Sequence, residues 1–174
     1  YPVSVSVGIG SGETPVDALA TASRCLQDAG SAQDPDRTAV LAGSHVPDPS
    51  PLQIAHFDIV DVTSQLTDRQ DAHGVLLTVQ EAIQTLSDHL YREFDALAYF
   101  VGGDNAIAVC PSLSVSEYEQ IIALLNEQHG LQFQVGVGTG TSATEAGMAA
   151  KHALETCRER GTAVEQFETP RPRN

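Results

Sequence analysis

Positive charge is scarce in this sequence, and its scarcity argues against two common kinds of partner. The 174 residues include 23 aspartates and glutamates but only 9 lysines and arginines, and Lys151 is the single lysine. The formal net charge is therefore −14. Nucleic acids and anionic membrane surfaces are bound through patches of cationic side chains. We therefore expect a protein that binds neither of them.

The sequence also lacks a long hydrophobic run and a recognisable signal peptide. No stretch approaches the roughly 20 apolar residues that a membrane-spanning helix needs. Its three cysteines, Cys25, Cys110 and Cys157, are far apart and form no Cys-x-x-Cys pair, which argues against a structural zinc site. These features favour buried thiols in a reducing compartment, and we expect a cytoplasmic protein.

An acidic surface on which arginine replaces lysine is typical of proteins from salt-loving cells. In about 1 M salt the Debye length falls to about 3 Å, so repulsion among surface carboxylates costs little. Apolar residues make up 41% of the chain, which is enough for a hydrophobic core. We expect a fold that loosens when the ionic strength is low.

Short motifs divide the chain into strands and helices. The alternation over residues 3–9 predicts a strand, and Thr14 followed by Pro15 predicts the start of a helix. Ser114 and Glu117 form a predicted capping box at the start of another helix. The remaining predictions are strands starting near 53, 131 and 162, helices over 75–94 and 142–160, and a hairpin that joins 96–100 to 106–110.

The order of elements after residue 52 is strand, helix, strand, strand, helix, strand, with an extra helix and strand at the end. This βαββαβ order predicts an α+β fold of the ferredoxin-like or polymerase-palm type, an antiparallel sheet with helices on one face. The first and third strands would be adjacent at its centre. The open face, on which we expect His56, Asp58, Gln132 and Gln134, predicts self-association into a homo-oligomer.

A segment near the start of the chain recurs near its end. Val7-Gly8-Ile9-Gly10, with Thr14 behind it, matches Val137-Gly138-Thr139-Gly140 with Thr144 at the same spacing. Unless the match is a coincidence, it predicts an internal repeat of strand, glycine turn and helix. The predicted organisation begins with the C-terminal remnant of a first palm-like repeat at 1–46, which supplies the last strand and helix of that repeat. A linker at 47–51, a second palm-like nucleotide-binding domain at 52–168 and a disordered tail at 169–174 follow.

Two aspartates mark the candidate functional site. Asp104 lies at the tip of the predicted hairpin, in Gly102-Gly103-Asp104-Asn105, where glycine takes positive φ at little cost. Asp58 lies near the end of the first strand and would meet Asp104 across neighbouring strands. Two such carboxylates suit divalent metal ions, which in turn bind the phosphates of a nucleotide. The alternative is an ordinary Gly-Asp turn beside an unrelated strand-end aspartate.

The segment Phe57-Asp58-Ile59-Val60-Asp61-Val62-Thr63, followed later by Gly-Gly-Asp-Asn, resembles the class III nucleotide cyclases and the diguanylate cyclases. In those families the first aspartate, the next backbone carbonyl and the hairpin acid bind two magnesium ions. The resemblance thus implies Asp58, Ile59 and Asp104 as metal ligands. A similar pattern near the end of the chain implies that Arg158 contacts phosphate.

A larger part of the chain resembles the archaeal GTP cyclohydrolase III family, which has two palm-like repeats. The resemblance covers most of residues 1–161 and includes Gly30-Ser31-Ala32-Gln33-Asp34, Gln53-Ile54-Ala55-His56 and Gly102-Gly103-Asp104-Asn105. It implies hydrolysis of GTP to a formylaminopyrimidine ribosyl monophosphate with release of two phosphates, magnesium (Mg²⁺) as cofactor and stimulation by potassium (K⁺). That product feeds flavin and deazaflavin biosynthesis.

Other residues are candidates with a plain structural alternative. His56 is a candidate for proton transfer in ring opening, or a packed histidine. Asp61 is a candidate ligand or a turn cap, and Asn105 is a candidate nucleotide contact or a support for the turn. The remaining candidates for nucleotide binding are Gly103 and the backbone N–H groups of Val60, Val62 and Thr63. Arg158 is a further candidate, or else the solvated end of a helix. Ser31, Gln33 and Asp34 are candidates for a site that binds the base or potassium.

Three functions are compatible with these residues. The first is a GTP cyclohydrolase or its detached catalytic part. The second is a nucleotidyl cyclase, which would release a cyclic nucleotide instead of a formylaminopyrimidine. The third is a non-catalytic palm-like module for nucleotide binding or dimerisation, in which the acidic pair is idle.

Overall fold

The computed structural model describes residues 5–30, 39–43 and 51–168, and the chain divides into two compact units, Tyr1–Pro49 and Ser50–Asn174. The predicted tail at 169–174 lies outside the described residues, as do Ser31, Gln33 and Asp34. Within the described part, no helix is long and apolar enough to cross a membrane.

The first unit contains a β-α-β motif in its described residues. Strand β1 (Val7–Ile9) and strand β2 (Leu41–Gly43) are parallel neighbours, and helix α1 (Pro15–Asp28) lies between them in the chain. The side chain of Thr14 accepts a hydrogen bond from the backbone of Asp17, so the predicted cap is confirmed. Strand β2 was not predicted.

The second unit contains the remaining elements. In chain order they are β3 (Leu52–Ile59), a π-helical turn (Thr63–Thr67), α2 (Ala72–Phe94), β4 (Leu97–Gly102), β5 (Asn105–Cys110), α3 (Val115–His129), β6 (Phe133–Gly140), α4 (Ala143–Arg160) and β7 (Val164–Glu168). The capping box at the start of α3 is present, and left-handed glycines end both α3 and α4.

The five strands of this unit form one sheet in the order β4-β5-β3-β6-β7. Strand β3 is antiparallel to both β5 and β6, and only β7 joins in parallel, next to β6. The first and third strands of the βαββαβ order are therefore the central neighbours, and the predicted α+β, palm-like topology is confirmed. This pairing brings the end of β3 to the hairpin between β4 and β5.

The main core lies between one face of the sheet and helices α2 and α3. Ala55, Phe57 and Ile59 of β3 all point to this face and are fully buried. Burial of a side chain such as Phe57 contributes about 1.5–3 kcal/mol. The Phe57 ring packs at a tilt on Tyr118 of α3, with ring centroids 6.1 Å apart. The alternate residues of β3, His56 and Asp58, consequently lie on the opposite face.

Helix α4 covers part of that opposite face, so the expectation that it is open was wrong. Ile54 of β3 packs against Ala146 and Ala150 of α4. On β6, a Cβ atom on Gly138 would lie closer than 3.0 Å to backbone atoms of both alanines, and Gly136 is equally crowded. Both glycines therefore belong to a strand that lets a helix approach closely, and the glycine turn predicted at Gly138 to Gly140 is part of that strand. The self-association predicted through this face stays a prediction.

The internal repeat is visible in this same contact. A Cβ on Gly10 would meet backbone atoms of Ala18 and Ala22 in α1, as one on Gly138 would meet Ala146 and Ala150 in α4. Both helices have their N-caps at matching places, Thr14 and Ser142. The repeat therefore relates β1-α1-β2 to β6-α4-β7. The register inferred from sequence, which aligned Gly10 with Gly140 and Thr14 with Thr144, was wrong by two residues.

Candidate functional site

The two candidate aspartates come together where β3 ends beside the hairpin. Asp58 and Asn105 are direct partners across β3 and β5, and the backbone N–H of Ile59 donates to the Asp104 carbonyl at 3.3 Å. Gly102 and Gly103 both have positive φ, so the tight turn that carries Asp104 needs them. The sequence prediction that these aspartates are neighbours is thus confirmed for their backbones.

Arg158 joins this group from the last turn of α4. One of its guanidinium nitrogens, Nη2, lies 2.9 Å from Oδ2 of Asp58. The Asp58 side chain is only 10% exposed, whereas that of Arg158 is 52% exposed. A carboxylate so buried requires a counter-charge, and water screens the pair on the arginine side. In the structure, Arg158, which was predicted to contact phosphate, is therefore in direct contact with Asp58, which was predicted to bind metal.

His56 and Asn105 are linked to the hairpin acid by hydrogen bonds. Nε2 of His56 lies 2.8 Å from Oδ1 of Asn105, and Nδ2 of Asn105 donates to Oδ1 of Asp104 at 2.7 Å. These contacts agree with the supporting role that was one of the two alternatives for Asn105. They do not test its predicted contact with a nucleotide.

Asp61 begins the turn that follows β3 and is committed to that turn. Its backbone is left-handed, with φ of 48°, and its carboxylate accepts from both the hydroxyl and the backbone N–H of Ser64. First the hydroxyl and then the N–H of Ser64 hold the pKa of Asp61 below its usual range. The structure thus gives Asp61 a turn-capping role, and its role as a metal ligand stays a prediction.

The backbone of the same turn is only partly free for the predicted phosphate contacts. The N–H of Val60 donates to the Gln132 carbonyl at 2.8 Å, which continues the strand pairing by one residue. Of the three N–H groups proposed to bind phosphate, that leaves Val62 and Thr63 at the start of the π-helical turn. Such turns are rare and are frequent at functional sites. Gly103 lies in the hairpin turn next to Asp104.

Two glutamines hold this region together: Gln65, which the sequence did not single out, and Gln134, which was expected only as a residue of the open face. The side-chain amide of Gln65 donates to the Val60 carbonyl and accepts from the Gln132 N–H, so it ties the turn to β6. Gln134, opposite Asp58 across β3 and β6, donates to the carbonyls of Cys157 and Thr162 at 3.1 and 3.0 Å. It thereby fixes the end of α4 on either side of Arg158. Nothing in the local pattern of the chain indicates these contacts.

Replacing Gln134 with leucine should lower the free energy of unfolding by about 1–2 kcal/mol, because two helix-end carbonyls lose a donor that leucine cannot supply. The midpoint and slope of urea unfolding measure this change. Gln132→Leu, on the exposed part of the same segment, is the matched control and should change the midpoint little. Equal midpoints for the two variants would show that Gln134 does not stabilise the end of α4.

The donor atoms at this site fit magnesium when substrate supplies the rest of the coordination shell. Within residues 5–30, 39–43 and 51–168, no group of three or more His, Cys, Asp or Glu side chains could hold a metal ion. Asp58 and Asp104 supply hard carboxylate oxygens, and magnesium sites commonly use one or two carboxylates together with phosphate oxygens and water. The side chains present are thus compatible with magnesium in a nucleotide complex.

Comparison with known sequences finds relatives of this chain in archaea. A family model described as GTP cyclohydrolase III matches residues 1–169. A GTP cyclohydrolase III of Halorubrum lacusprofundi is 50% identical over 172 residues, 98% of this chain and 67% of that protein. One from Methanothermobacter thermautotrophicus is 37% identical over 158 residues, 91% of this chain and 63% of that protein. The chain thus spans about two thirds of the length of these relatives.

Comparison with solved structures identifies domains that share the fold of this chain. The active GGEEF domain of a diguanylate cyclase from Vibrio cholerae matches with a TM-score of 0.54 at 12% identity, over 70% of this chain and 85% of that one. A GGDEF domain from Pseudomonas aeruginosa matches with a TM-score of 0.53 at 14% identity, over 69% and 84%. At such low identity the likeness shows a shared palm-like fold.

Proposed function

The chain belongs to the GTP cyclohydrolase III family, and on that basis we propose that its second unit supplies the metal-binding half of a GTP-hydrolysing site. The proposed reaction converts GTP to 2-amino-5-formylamino-6-(5-phosphoribosylamino)pyrimidin-4(3H)-one and two phosphates. One water molecule opens the imidazole ring and leaves the formyl group in place, and each phosphate released consumes another. The product would feed flavin and deazaflavin biosynthesis.

The observation that carries this proposal is that the backbone of Asp104 adjoins the end of β3, where Arg158 pairs with Asp58. The strand register brings the two aspartates together, and the 2.9 Å contact brings the arginine to Asp58. The protein is acidic and has few cations. When a triphosphate binds, Arg158 could give up its contact with Asp58 and pair with a phosphate group instead. Asp58 would then be free to bind the metal, while Arg158 neutralises phosphate charge.

We assign the metal-binding roles to Asp58, Asp104 and the carbonyl of Ile59, with magnesium as the cofactor and potassium as a stimulating ion. Bound magnesium would neutralise the triphosphate and polarise the phosphorus under attack. Val62, Thr63 and Gly103 would contact phosphate through their backbone N–H groups. If His56 moves a proton in ring opening, it does so through Nδ1, because Nε2 faces Asn105.

We further propose that the unit Tyr1–Pro49 is part of a first palm-like repeat. Val7 of β1 occupies the place that Val135 has in β6, since each donates its N–H to the residue directly before the next strand, Val40 and Ala163 respectively. Val135 is fully buried under α2 and α3, whereas Val7 is 46% exposed. A complete repeat would cover Val7 in the same way.

The proposal is tested by incubating GTP and magnesium with this chain and with a longer form that contains a complete first repeat. We expect the longer form to release two phosphates per GTP and a product with the absorbance of a formylaminopyrimidine. A cyclic nucleotide with release of pyrophosphate would identify a nucleotidyl cyclase instead. Absence of any turnover by the folded longer form, with GTP binding retained, would identify a non-catalytic nucleotide-binding module.

A further inference from the structure

Three polar side chains form a continuous chain of hydrogen bonds on the face of the sheet that carries Asp58. Asn105 is the direct cross-strand partner of Asp58, and His56 lies two residues before Asp58 on the same face. His56 and Asn105 are therefore diagonal neighbours across β3 and β5, within reach of longer side chains. Their 2.8 Å contact, together with the 2.7 Å contact from Asn105 to Asp104, links the central strand to the hairpin tip.

The carboxylate of Asp104 determines the direction of every hydrogen bond in this chain. An ionised carboxylate only accepts, so the Asn105 amide must turn its nitrogen to Asp104. That orientation turns the amide oxygen, which also only accepts, to Nε2 of His56. Nε2 must therefore carry a hydrogen and donate it. The reversed amide would place its oxygen against the carboxylate. Both are hydrogen-bond acceptors, so no hydrogen bond could form between them.

We infer that His56 and Asn105 are positioning residues that orient the Asp104 carboxylate for a divalent cation. The inference rests on the proposed function, in which Asp104 is a metal ligand. A side chain at a hairpin tip is otherwise free to rotate, and ordering it on binding has an entropic cost. The amide of Asn105 engages one oxygen, Oδ1, and the second oxygen, Oδ2, is not its hydrogen-bond acceptor. Residues that orient ligands in this way commonly change metal affinity when they are replaced.

This role for His56 is distinct from proton transfer, and a pair of substitutions separates the two. In His56→Gln the amide nitrogen can take the place of Nε2 as a donor, but the side chain cannot transfer a proton. In His56→Leu the size is similar and the donor is lost. The positioning role predicts that glutamine preserves metal affinity and leucine does not. A role confined to proton transfer predicts that both variants bind metal as the parent protein does.

The experiment measures Mn²⁺ affinity in the presence of a β,γ-methylene analogue of GTP, by the enhancement of water-proton relaxation. We expect His56→Leu to weaken Mn²⁺ binding about 10- to 100-fold, and His56→Gln to retain the parent affinity. Asn105→Ala, which removes the middle of the chain, should weaken binding as His56→Leu does and provides the test if His56→Leu does not fold. Parent affinity in a folded His56→Leu or Asn105→Ala variant would overturn the inference.

The variant Asp104→Asn distinguishes failure of the inference from failure of the proposed function. If Asp104→Asn binds Mn²⁺ as tightly as the parent, Asp104 is not a metal ligand and the proposed site itself is wrong. If Asp104→Asn loses affinity but His56→Leu does not, only the positioning role is wrong. If both lose affinity, the double variant should lose no more than Asp104→Asn alone, because His56 acts through Asp104.

Discussion

We expect that replacing Asp104 with alanine will abolish the magnesium-dependent GTP turnover that we propose for the complete protein, and will leave the fold intact. A metal clamp on the triphosphate contributes several kcal/mol, and each 1.36 kcal/mol is a factor of ten, so we expect a loss of about 10³-fold or more. The fold should survive because Asp104 is partly exposed at a hairpin tip. Its backbone carbonyl still accepts from Ile59 after the substitution. Phosphate release at saturating GTP measures the loss.

Two further variants make this result specific. Asp104→Asn keeps the size of the side chain and removes its charge, so it should lose as much activity as the alanine variant. Asp88→Ala removes an equally acidic side chain, paired with Arg92 on the exposed surface of α2, and should be close to neutral. If a folded Asp104→Ala protein keeps turnover within about tenfold of the parent, a difference of only about 1.4 kcal/mol, the metal site is assigned to the wrong residue.

The largest effect on stability is expected for Gly138→Ala. The added methyl group would fall closer than 3.0 Å to the backbone of α4 at Ala146 and Ala150, and backbone atoms cannot turn aside as a side chain does. Helix α4 would have to move off the sheet. We expect a loss of about 3 kcal/mol or more, which is a large share of the stability of a domain of this size. Urea unfolding at constant ionic strength measures it.

Gly147→Ala is the matched control for this prediction, because it adds the same methyl group to the helix itself. Its nearest new neighbour would be Cδ1 of Ile54 at 4.0 Å, an ordinary van der Waals contact. Alanine is favoured over glycine inside a helix by about 0.5–1 kcal/mol. The control should therefore be slightly more stable than the parent protein. A Gly138→Ala variant with the parent midpoint would show that α4 and β6 are less closely packed than described.

Local signals in the sequence were sufficient for most element boundaries. Thr14 and Pro15 mark the start of α1, and Ser114 with Glu117 marks that of α3, because a cap depends on residues three or four positions apart. The order of strands and helices was then sufficient for the sheet topology, since few arrangements connect a βαββαβ chain without crossing. The neighbouring backbones of Asp58 and Asp104 followed from that topology.

Features that depend on tertiary contact were missed. Gly138 and Gly140 suggested a turn, because sequence alone does not show that a helix lies against them. Strand β2 exists only through its pairing with β1 and has three residues, too few for a recognisable alternation. The bonds from Gln134 to the end of α4 likewise join residues distant in the chain. The sequence placed Arg158 at the site only through a family resemblance.

The two halves of the internal repeat have kept the same packing but have diverged in charge. Helix α1 has 14 residues and ends at Asp28, whereas α4 has 18 and ends at Arg160. In the alignment that pairs Gly12 with Gly140, the place of Arg158 falls on Gly30, beyond the end of the shorter helix. The two copies are thus asymmetric, because one additional helical turn gives the later copy an arginine for which the earlier copy has no counterpart.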